Sequence, residues 1–373
     1  MRNAAMFNAN RLKLGIFAAN CSSGSAATKI PERWDASWQH NAKLAELADQ
    51  VGFEFMLPLA RFRGHGGETD FQGATLETIT WAAGLLARTR NLTVFGTVHT
   101  PLVHPIFAAK QMVTVDHIAR GRFGLNIVCG WNQDEFDMFG QAQLPHDERY
   151  VQGQEWWDVI RGIWESAAPF DYDGTYYKLA GVRGDPKPYG GKRPVVMNAG
   201  SSGAGQRFAA KNCDMMFTSL VDFDHARGKI AQLKGYLAEL GRTDDVSIFT
   251  STHVVCRPTR KEAEEYYRYY AIENADEVAV ERLMYLQGMF AQSFPKEMIE
   301  RYRVRFAGGH GSYPVIGDPD HVAAELARVA EIGLAGTTVA FMNYLEAFPY
   351  FVQEVLPRLE RIGVRNAKVP ACA

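Results

Sequence analysis

Short apolar runs rich in Val, Ile and Phe recur along the chain, and they alternate with segments whose apolar residues follow helical spacing. The apolar runs predict eight β-strands, at residues 12–18, 53–58, 92–97, 122–128, 194–199, 213–218, 246–255 and 335–341. The segments between them predict helices at residues 36–51, 74–89, 105–119, 202–212, 223–240 and 319–333. The first strands are almost continuously apolar, which is typical of strands covered on both faces.

Eight strands that alternate with helices predict an α/β fold, a (β/α)8 TIM barrel, with a doubly wound open sheet as the alternative. Two connections are too long for simple βα units, about 129–193 after strand four and about 256–334 after strand seven. Because such barrels build their active sites at the carboxyl ends of the strands, both insertions are expected to border the site. No interdomain linker is visible, so the sequence predicts a single domain over residues 1–373.

The second insertion is a candidate lid over that site, since long connections in compact domains are often lids or binding loops. It contains the glycine-rich stretch 308–311, which is compatible with a hinge or with an ordinary surface loop.

Composition and charge exclude several classes of protein. The chain is 47% hydrophobic and 22% charged, which is ordinary for a globular protein. Lys and Arg number 40 against 42 Asp and Glu, so a net charge of −2 gives no global attraction to nucleic acid or to an anionic membrane. No apolar run approaches the roughly 18 residues of a membrane span, and residues 1–12 lack the apolar core of a signal peptide. The sequence therefore predicts a cytoplasmic protein without nucleic-acid or membrane partners.

Cysteine and histidine spacing gives no indication of a metal site. The five cysteines are scattered and include Cys372 near the end of the chain, so reduced thiols are expected rather than disulfides or structural zinc. His99 and His104 flank Pro101 but do not have the spacing of helical metal ligands. A nucleophile elbow of the G-x-S-x-G type is also absent from the sequence.

The strongest local motif is NAGSSGAG at residues 198–205, directly after a predicted strand and opening a predicted helix. Small residues allow backbone N–H groups to approach an anion, and the helix dipole favours negative charge. Ser201 and Ser202 would add hydroxyl donors, so a phosphate group is the natural ligand. A tight turn capped by serine is the alternative interpretation.

Three further segments carry polar residues at predicted strand ends or helix starts. Asn126 interrupts an apolar strand that leads to Trp131, and Thr97 ends the neighbouring strand, so either could bind a heteroaromatic ligand or only backbone. Arg149 begins a predicted helix and could pair with a phosphate or with a surface carboxylate. Arg61 and Arg63 lie in a glycine-rich loop, where they could meet an anion or simply be solvated.

Taken together, these segments resemble the bacterial-luciferase-like flavin monooxygenases, and most closely the subgroup of pyrimidine and dimethylsulfone monooxygenases. The resemblance runs from about residue 12 to 345 and is densest at residues 62–71, 121–140, 146–150 and 198–210. It implies a barrel with insertions, and reduced FMN that a separate NAD(P)H-dependent flavin reductase supplies. NADH or NADPH is then used indirectly, O2 provides the oxygen atom inserted into the substrate, and a homodimer or homotetramer is expected.

The resemblance also assigns site residues by matching motif. It places eight residues at the flavin: Ala60, Arg61, Asn126, Glu135, Arg149, Tyr150, Ser201 and Ser202. It places three at the flavin edge where oxygen reacts, and these are the catalytic candidates: Thr97, Asn126 and Trp131. It further implies a cis peptide bond near Thr97–Val98. Where this chain has Ala60-Arg61, the pyrimidine enzymes have Ile-Lys, which keeps a charge but changes its geometry.

The substrate is less well defined than the cofactor. The candidate substrate contacts are His99, Trp131, Arg63, His65 and Tyr313. A small N-heterocycle such as a pyrimidine-like ring is the first expectation, and a small organosulfur compound, a sulfone, is the second. Two other classes stay open: a deazaflavin-dependent oxidoreductase that transfers hydride without O2, and a flavin-binding protein without catalysis.

Overall fold

Strands that are buried on both faces form the centre of the fold. The computed structural model describes residues 5–289 and 296–366, and its strands are β1 (Lys13–Phe17), β2 (Phe55–Leu57), β3 (Thr93–His99), β4 (Phe123–Val128), β5 (Phe170–Asp173), β6 (Lys178–Val182), β7 (Val195–Asn198), β8 (Met215–Phe217), β9 (Ser247–Cys256), β10 (Tyr313–Gly317) and β11 (Gly336–Ala340). Cys372 and part of the second predicted insertion, residues 290–295, lie outside the described residues.

The sheet order shows a closed barrel. Parallel strands follow one another as β9-β11-β1-β2-β3-β4-β7-β8, and β8 pairs with β9 to close the ring. These are the eight predicted strands, so the (β/α)8 barrel is confirmed and the open sheet is wrong.

The helices cover the outside of the barrel or lie in the two long connections. They are α1 (Trp38–Val51), α2 (Thr78–Arg88), α3 (Pro105–Ala119), α4 (Gln133–Met138), α5 (His146–Glu165), α6 (Gly203–Asn212), α7 (Phe223–Glu239), α8 (Arg260–Arg268), α9 (Glu277–Leu286), α10 (Lys296–Gly309), α11 (Pro319–Glu331), α12 (Tyr344–Glu354) and α13 (Leu356–Ile362). All six predicted helices occur among them. In the described part of the chain, no helix combines the length and apolar character needed to cross a membrane.

An aromatic plug fills the amino-terminal half of the barrel. The Phe55 ring packs edge-on against Phe95 at 6.0 Å and against Phe249 at 5.7 Å. A Cβ atom at Gly15 would lie 2.4 Å from the Phe55 ring, so the β1 backbone must be glycine there to leave room for the plug. Phe95 lies near the amino end of β3, so polar residues that follow it on this strand lie at the carboxyl end of the barrel.

The two long connections add structure around that carboxyl end. The first contains α4, α5 and the antiparallel hairpin β5–β6. The second contains α8 to α11 and β10, which pairs with the upper half of β9 from Thr252 to Cys256. The glycine-rich stretch is not an ordinary surface loop. Gly308 and Gly309 form the last turn of α10, where a Cβ atom at Gly309 would lie 2.5 Å from His253.

Candidate active site

Thr97 and Asn126 form a polar pair just above the aromatic plug. They are register partners on β3 and β4, and both are almost fully buried. The Asn126 amide donates to the Thr97 hydroxyl at 3.2 Å, and that hydroxyl donates to the carbonyl oxygen of Pro58 at 2.8 Å. The Asn126 side-chain oxygen is buried without a partner. The pair therefore presents acceptor atoms, which suit an N–H group of a ligand.

The backbone beside this pair differs from one expectation. Among the described residues the cis peptide bond is Asp185–Pro186, in the first insertion. The cis bond expected near Thr97–Val98 is therefore wrong. Thr97 instead lies in regular β3, where its carbonyl oxygen accepts a hydrogen bond from the Thr78 hydroxyl at 2.7 Å.

Glu135 anchors a buried charge cluster next to the pair. Its carboxylate accepts a hydrogen bond from the Phe62 backbone N–H at 2.9 Å and lies 3.6 Å from the Arg61 guanidinium and 3.4 Å from His99 Nδ1. Burial alone would raise the pKa of Glu135, but His99, Arg61 and the Phe62 N–H together lower it below its usual value. The carboxylate therefore stays ionised and balances the charge of Arg61.

Arg61 is held between Glu135 and an aromatic ring. Its guanidinium lies 5.0 Å from the Trp131 ring centroid, a cation–π contact. Its Nε and Nη1 atoms are buried and lack hydrogen-bond partners. Burial lowers the pKa of Arg61, and the Glu135 charge opposes that shift. The loop after β2 thus places buried guanidinium donors at the rim.

The start of α6 forms the tight, serine-capped turn for which the sequence predicts an anion. Ser202 caps the helix and accepts a hydrogen bond from the Gly205 N–H at 3.1 Å, while Ser201 is exposed. A Cβ atom at Gly200 would lie 2.7 Å from the Gly205 Cα, so only glycine permits this close turn. Asn198 holds the turn from below, because its amide donates to Ile127 and its oxygen accepts from the Gly200 N–H. Asn198 therefore supports the turn, a role that its place in the NAGSSGAG motif did not reveal.

The start of α5 adjoins this turn. The Tyr150 ring packs against Phe208 at 6.0 Å, and its hydroxyl lies against Gly205. Burial raises the pKa of Tyr150, while a hydrogen bond with Ser202 opposes the shift. Arg149 donates to the Gly130 carbonyl oxygen at 2.7 Å and keeps a buried, unpaired Nε. Tyr150 and Ser202 therefore meet at this turn, whereas the Arg149 guanidinium is bonded to the Gly130 carbonyl oxygen.

The remaining predicted residues occupy different positions around the rim. Ala60, His65 and His99 are buried, Trp131 is half-buried, and Arg63 is exposed. The Tyr313 hydroxyl donates to Glu325 of α11 at 3.0 Å, so its polar end is engaged on the outside of the barrel. His253 and His310, which sequence analysis missed, lie buried or half-buried at the rim. For His310 the only signal was a histidine flanked by glycines.

The thiols do not provide nucleophiles. The free cysteines of the described chain, Cys21, Cys129, Cys213 and Cys256, are all buried. Burial raises the pKa of Cys21 to about 11 and that of Cys129 to about 12, so both are protonated near neutral pH. No group of His, Cys, Asp or Glu side chains within residues 5–289 and 296–366 is arranged to hold a metal ion.

Several buried polar atoms at the rim lack hydrogen-bond partners: Arg61 Nε and Nη1, both His65 ring nitrogens, Asn126 Oδ1, Glu135 Oε2, Arg149 Nε and His310 Nε2. Two of them, Arg61 Nη1 and Glu135 Oε2, are held only by ion pairs at 3.6 Å and 3.4 Å. Each such atom costs about 1–3 kcal/mol when it is left unpaired, so the cluster calls for a polar ligand. A flat ring with alternating donors and acceptors, joined to a phosphate, fits the cluster and the α6 turn together. A cleft of about 310 Å³ beside Lys234, Val246 and Gly333 lies at the opposite end of the barrel.

A (β/α)8 barrel whose carboxyl rim combines a serine-capped helix start with a buried polar cluster is typical of enzymes that bind a phosphorylated ligand. Comparison with known families makes this specific. Residues 12–336 match the luciferase-like monooxygenase family, and the chain belongs to it.

Two characterised relatives and one solved structure illustrate the similarity. The chain is 30% identical to an FMNH2-dependent dimethylsulfone monooxygenase of Pseudomonas fluorescens, over 95% of this chain and 96% of the relative. It is 28% identical to a pyrimidine monooxygenase, RutA, of Acinetobacter baylyi, over 93% and 94%. The crystal structure of DmoA from Hyphomicrobium sulfonivorans superposes with a TM-score of 0.85 at 21% identity, covering 97% and 91% of the two chains, and supports the fold.

Proposed function

We propose that this protein is a two-component monooxygenase that uses reduced FMN and O2 to oxygenate a small organic substrate. Family membership supports the reaction class, and a relative 30% identical over nearly its whole length is FMNH2-dependent. The observation that carries the proposal is structural. The serine-capped start of α6 follows β7, and β7 pairs with β4, the strand that carries the unpaired Asn126 oxygen, so one phosphorylated ring can reach both.

Different residues hold the phosphate and the ring of the cofactor. The α6 N-terminus, the Ser201 backbone and Ser202 hold the phosphate, with Arg149 as counter-charge and Tyr150 closing the turn. The ring-side contacts come from Ala60, Arg61, Asn126 and Glu135. When bound, reduced FMN supplies the electrons that activate O2, and the protein contributes placement and exclusion of water.

Three residues border the reacting part of the site. Thr97 and Asn126 fix acceptor atoms by their mutual hydrogen bond, and Trp131 forms an apolar wall that Arg61 covers. The second insertion is the candidate lid that excludes water from this region. A separate NAD(P)H:flavin reductase provides the reduced cofactor, directly or through diffusing flavin, and the enzyme assembles as a homodimer or homotetramer.

A small N-heterocycle such as a pyrimidine-like ring is the proposed substrate, contacted by His99, Trp131 and His65. Arg63 and Tyr313 remain proposed contacts, although one is exposed and the other is bonded to Glu325. The second candidate substrate is a small sulfone, which the similarity to dimethylsulfone monooxygenase favours.

The test is reconstitution with FMN, a flavin reductase, NADH and O2, followed by mass spectrometry of heterocycles and sulfones. A product that gains one oxygen atom, labelled when 18O2 is supplied, supports the proposal. Turnover under anaerobic conditions with a reduced deazaflavin would contradict it in favour of hydride transfer. Oxygen consumption without any oxygenated product would favour a non-catalytic flavin protein.

A further inference from the structure

A buried histidine, His65, and a half-buried one, His310, come from distant parts of the chain and lie close together at the rim. His65 follows β2, and His310 follows α10 in the second insertion. The Phe71 ring lies 5.8 Å from the His65 ring and 6.4 Å from the His310 ring, and Phe17 lies 6.3 Å from His310. Both ring nitrogens of His65 and Nε2 of His310 are buried without hydrogen-bond partners. Unpaired nitrogens in an aromatic setting are expected where a ligand supplies the missing bonds.

Both imidazoles are uncharged near neutral pH. Burial, reinforced by the Arg61 charge, lowers the pKa of His65 to about 2 and that of His310 to about 3. Gln72 lies close enough to oppose the shift at His65, but no atom pair between these two side chains reaches hydrogen-bond geometry. A neutral imidazole carries one N–H donor and one acceptor nitrogen. Both nitrogens are unpaired at His65, whereas at His310 the unpaired one is Nε2.

The charges around the two histidines cancel. The Arg61 charge affects both rings, and its guanidinium is balanced by the Glu135 carboxylate at 3.6 Å. Arg282, which also affects His65, is paired with Asp134 at 2.5 Å. His99 adjoins the other oxygen of Glu135. An anionic ligand entering this space would lose its hydration without gaining a free counter-charge, whereas an uncharged polar ligand would lose little.

His310 is fixed in this position. Gly309 packs directly on His253, and the Arg305 guanidinium binds the carbonyl oxygens of Leu220 at 2.8 Å and Gly311 at 3.2 Å. This clamp joins the turn after α10 to the loop after β8. The His310 backbone is in the left-handed region, with φ 55°, which aims its ring at Phe17 and Phe71.

We propose that His65 and His310 form a recognition pair for an uncharged polar substrate and make the site select it over an anion of the same size. The inference rests on the proposed function, because it names the substrate class of the same site. Each imidazole makes one hydrogen bond to a carbonyl, sulfonyl or N–H group of the substrate.

The test is isothermal titration calorimetry at neutral pH, on the protein with and without FMN. The probes are two size-matched pairs, dimethylsulfone against methanesulfonate and uracil against barbiturate. At least one uncharged probe is expected to bind about tenfold or more tightly than its anionic match, a difference of about 1.4 kcal/mol. Equal or tighter binding of the anions in both pairs, or no binding of either uncharged probe, overturns the inference.

Variants test whether His65 and His310 themselves, rather than the residues around them, bind the uncharged probe. His65→Leu and His310→Leu should each weaken the bound uncharged probe about tenfold, whereas exposed His225→Leu should not. His310→Asn serves as the second variant, because Asn tolerates a left-handed backbone and keeps a polar group. Glu135→Gln leaves Arg61 without its counter-charge and should shift the preference toward the anion. Unchanged affinities in both His→Leu variants would overturn the pair.

The two proposals fail in different ways. FMN binding, followed by quenching of flavin fluorescence, tests the cofactor site independently of the probes. A protein that binds FMN but does not discriminate between the probes contradicts only the recognition pair. A protein that discriminates between the probes without binding FMN contradicts only the proposed function.

Discussion

At the scale of single residues, the site depends on hydroxyl and amide groups whose directions are already set. Thr97 donates its hydroxyl hydrogen to the Pro58 carbonyl oxygen, and so accepts from Asn126. A free hydroxyl could rotate to follow water, but this one cannot do so without losing a bond in a buried setting. Because both hydrogen bonds of the Thr97 hydroxyl are fixed, a substitution of Thr97 tests whether the Thr97–Asn126 pair takes part in the reaction.

Thr97→Ala removes the fixed acceptor while leaving the phosphate turn untouched. We expect product formation to fall about 100-fold, or about 2.7 kcal/mol in the barrier, with FMN affinity within about twofold of wild type. Single-turnover product yield by mass spectrometry measures the first quantity, and fluorescence quenching measures the second. Thr97→Ser is the matched control, since it keeps the hydroxyl. Unchanged yield in Thr97→Ala would remove Thr97 from the reaction.

Sequence could identify Thr97 and Asn126 because polar residues stand out in apolar strands. It could not show that they are register partners, since register depends on the pairing of β3 with β4. His310 was missed for a related reason. Its neighbour Phe17 is nearly 300 residues away in the chain, and its neighbour Phe71 is more than 230 residues away. No local pattern in the sequence indicates such contacts.

At the scale of elements, the last turn of α10 decides where His310 lies. Gly309→Ala places a Cβ atom 2.5 Å from the Cβ atom of His253. The backbone at position 309 cannot move away from this contact without moving α10. We expect a loss of about 1–3 kcal/mol in the free energy of unfolding, together with weaker substrate binding. Urea denaturation and calorimetric titration of the bound probe measure the two effects.

The matched control for that substitution is Gly228→Ala in α7, where a Cβ atom meets nothing within 4 Å. This helix-interior change should stabilise the protein by about 0.5–1 kcal/mol, because alanine loses less conformational freedom on folding. Similar effects of the two substitutions would show that the contact with His253 is not a tight one.

The elements themselves were largely predictable. Barrel strands such as β3 are buried on both faces, so they read as continuous apolar runs with few alternatives. β10 was not predicted, because its short sequence is defined by pairing with the upper half of β9 rather than by its own pattern. The sequence left a hinge and a surface loop open for Gly308 and Gly309, whereas their close packing against Tyr267 and His253 is what requires glycine.

At the scale of the whole molecule, buried titrating groups link stability to pH. Burial lowers the pKa of His65 to about 2 and those of His253 and His310 to about 3. The unfolded chain binds these protons below about pH 6.5 while the folded chain does not, so this stability is complete above pH 6.5 and is lost as pH falls toward 3. Burial raises the pKa of Asp116 to about 6, which acts in the opposite direction between pH 6 and 4.

Between pH 6 and 4 the unfolded chain therefore binds about two more protons than the folded chain, three at the histidines less one at Asp116. The free energy of unfolding then falls by about 3 kcal/mol per pH unit. Urea midpoints measured at pH 7, 6, 5 and 4 test this slope. His253→Gln should reduce it by about 1.4 kcal/mol per pH unit, since one of the three buried histidines is then gone. Midpoints that do not change from pH 7 to 5 would show that these rings are not buried as described.

The central claim is that the barrel rim binds a flavin whose phosphate lies at the start of α6. Titration of the protein with FMN and with riboflavin, which lacks the phosphate, tests it most directly. The account predicts that FMN binds about 100-fold or more tightly, or about 2.7 kcal/mol, and that Arg149→Ala removes about a tenfold part of that difference. Equal affinity for the two flavins, or no binding of either, would contradict it.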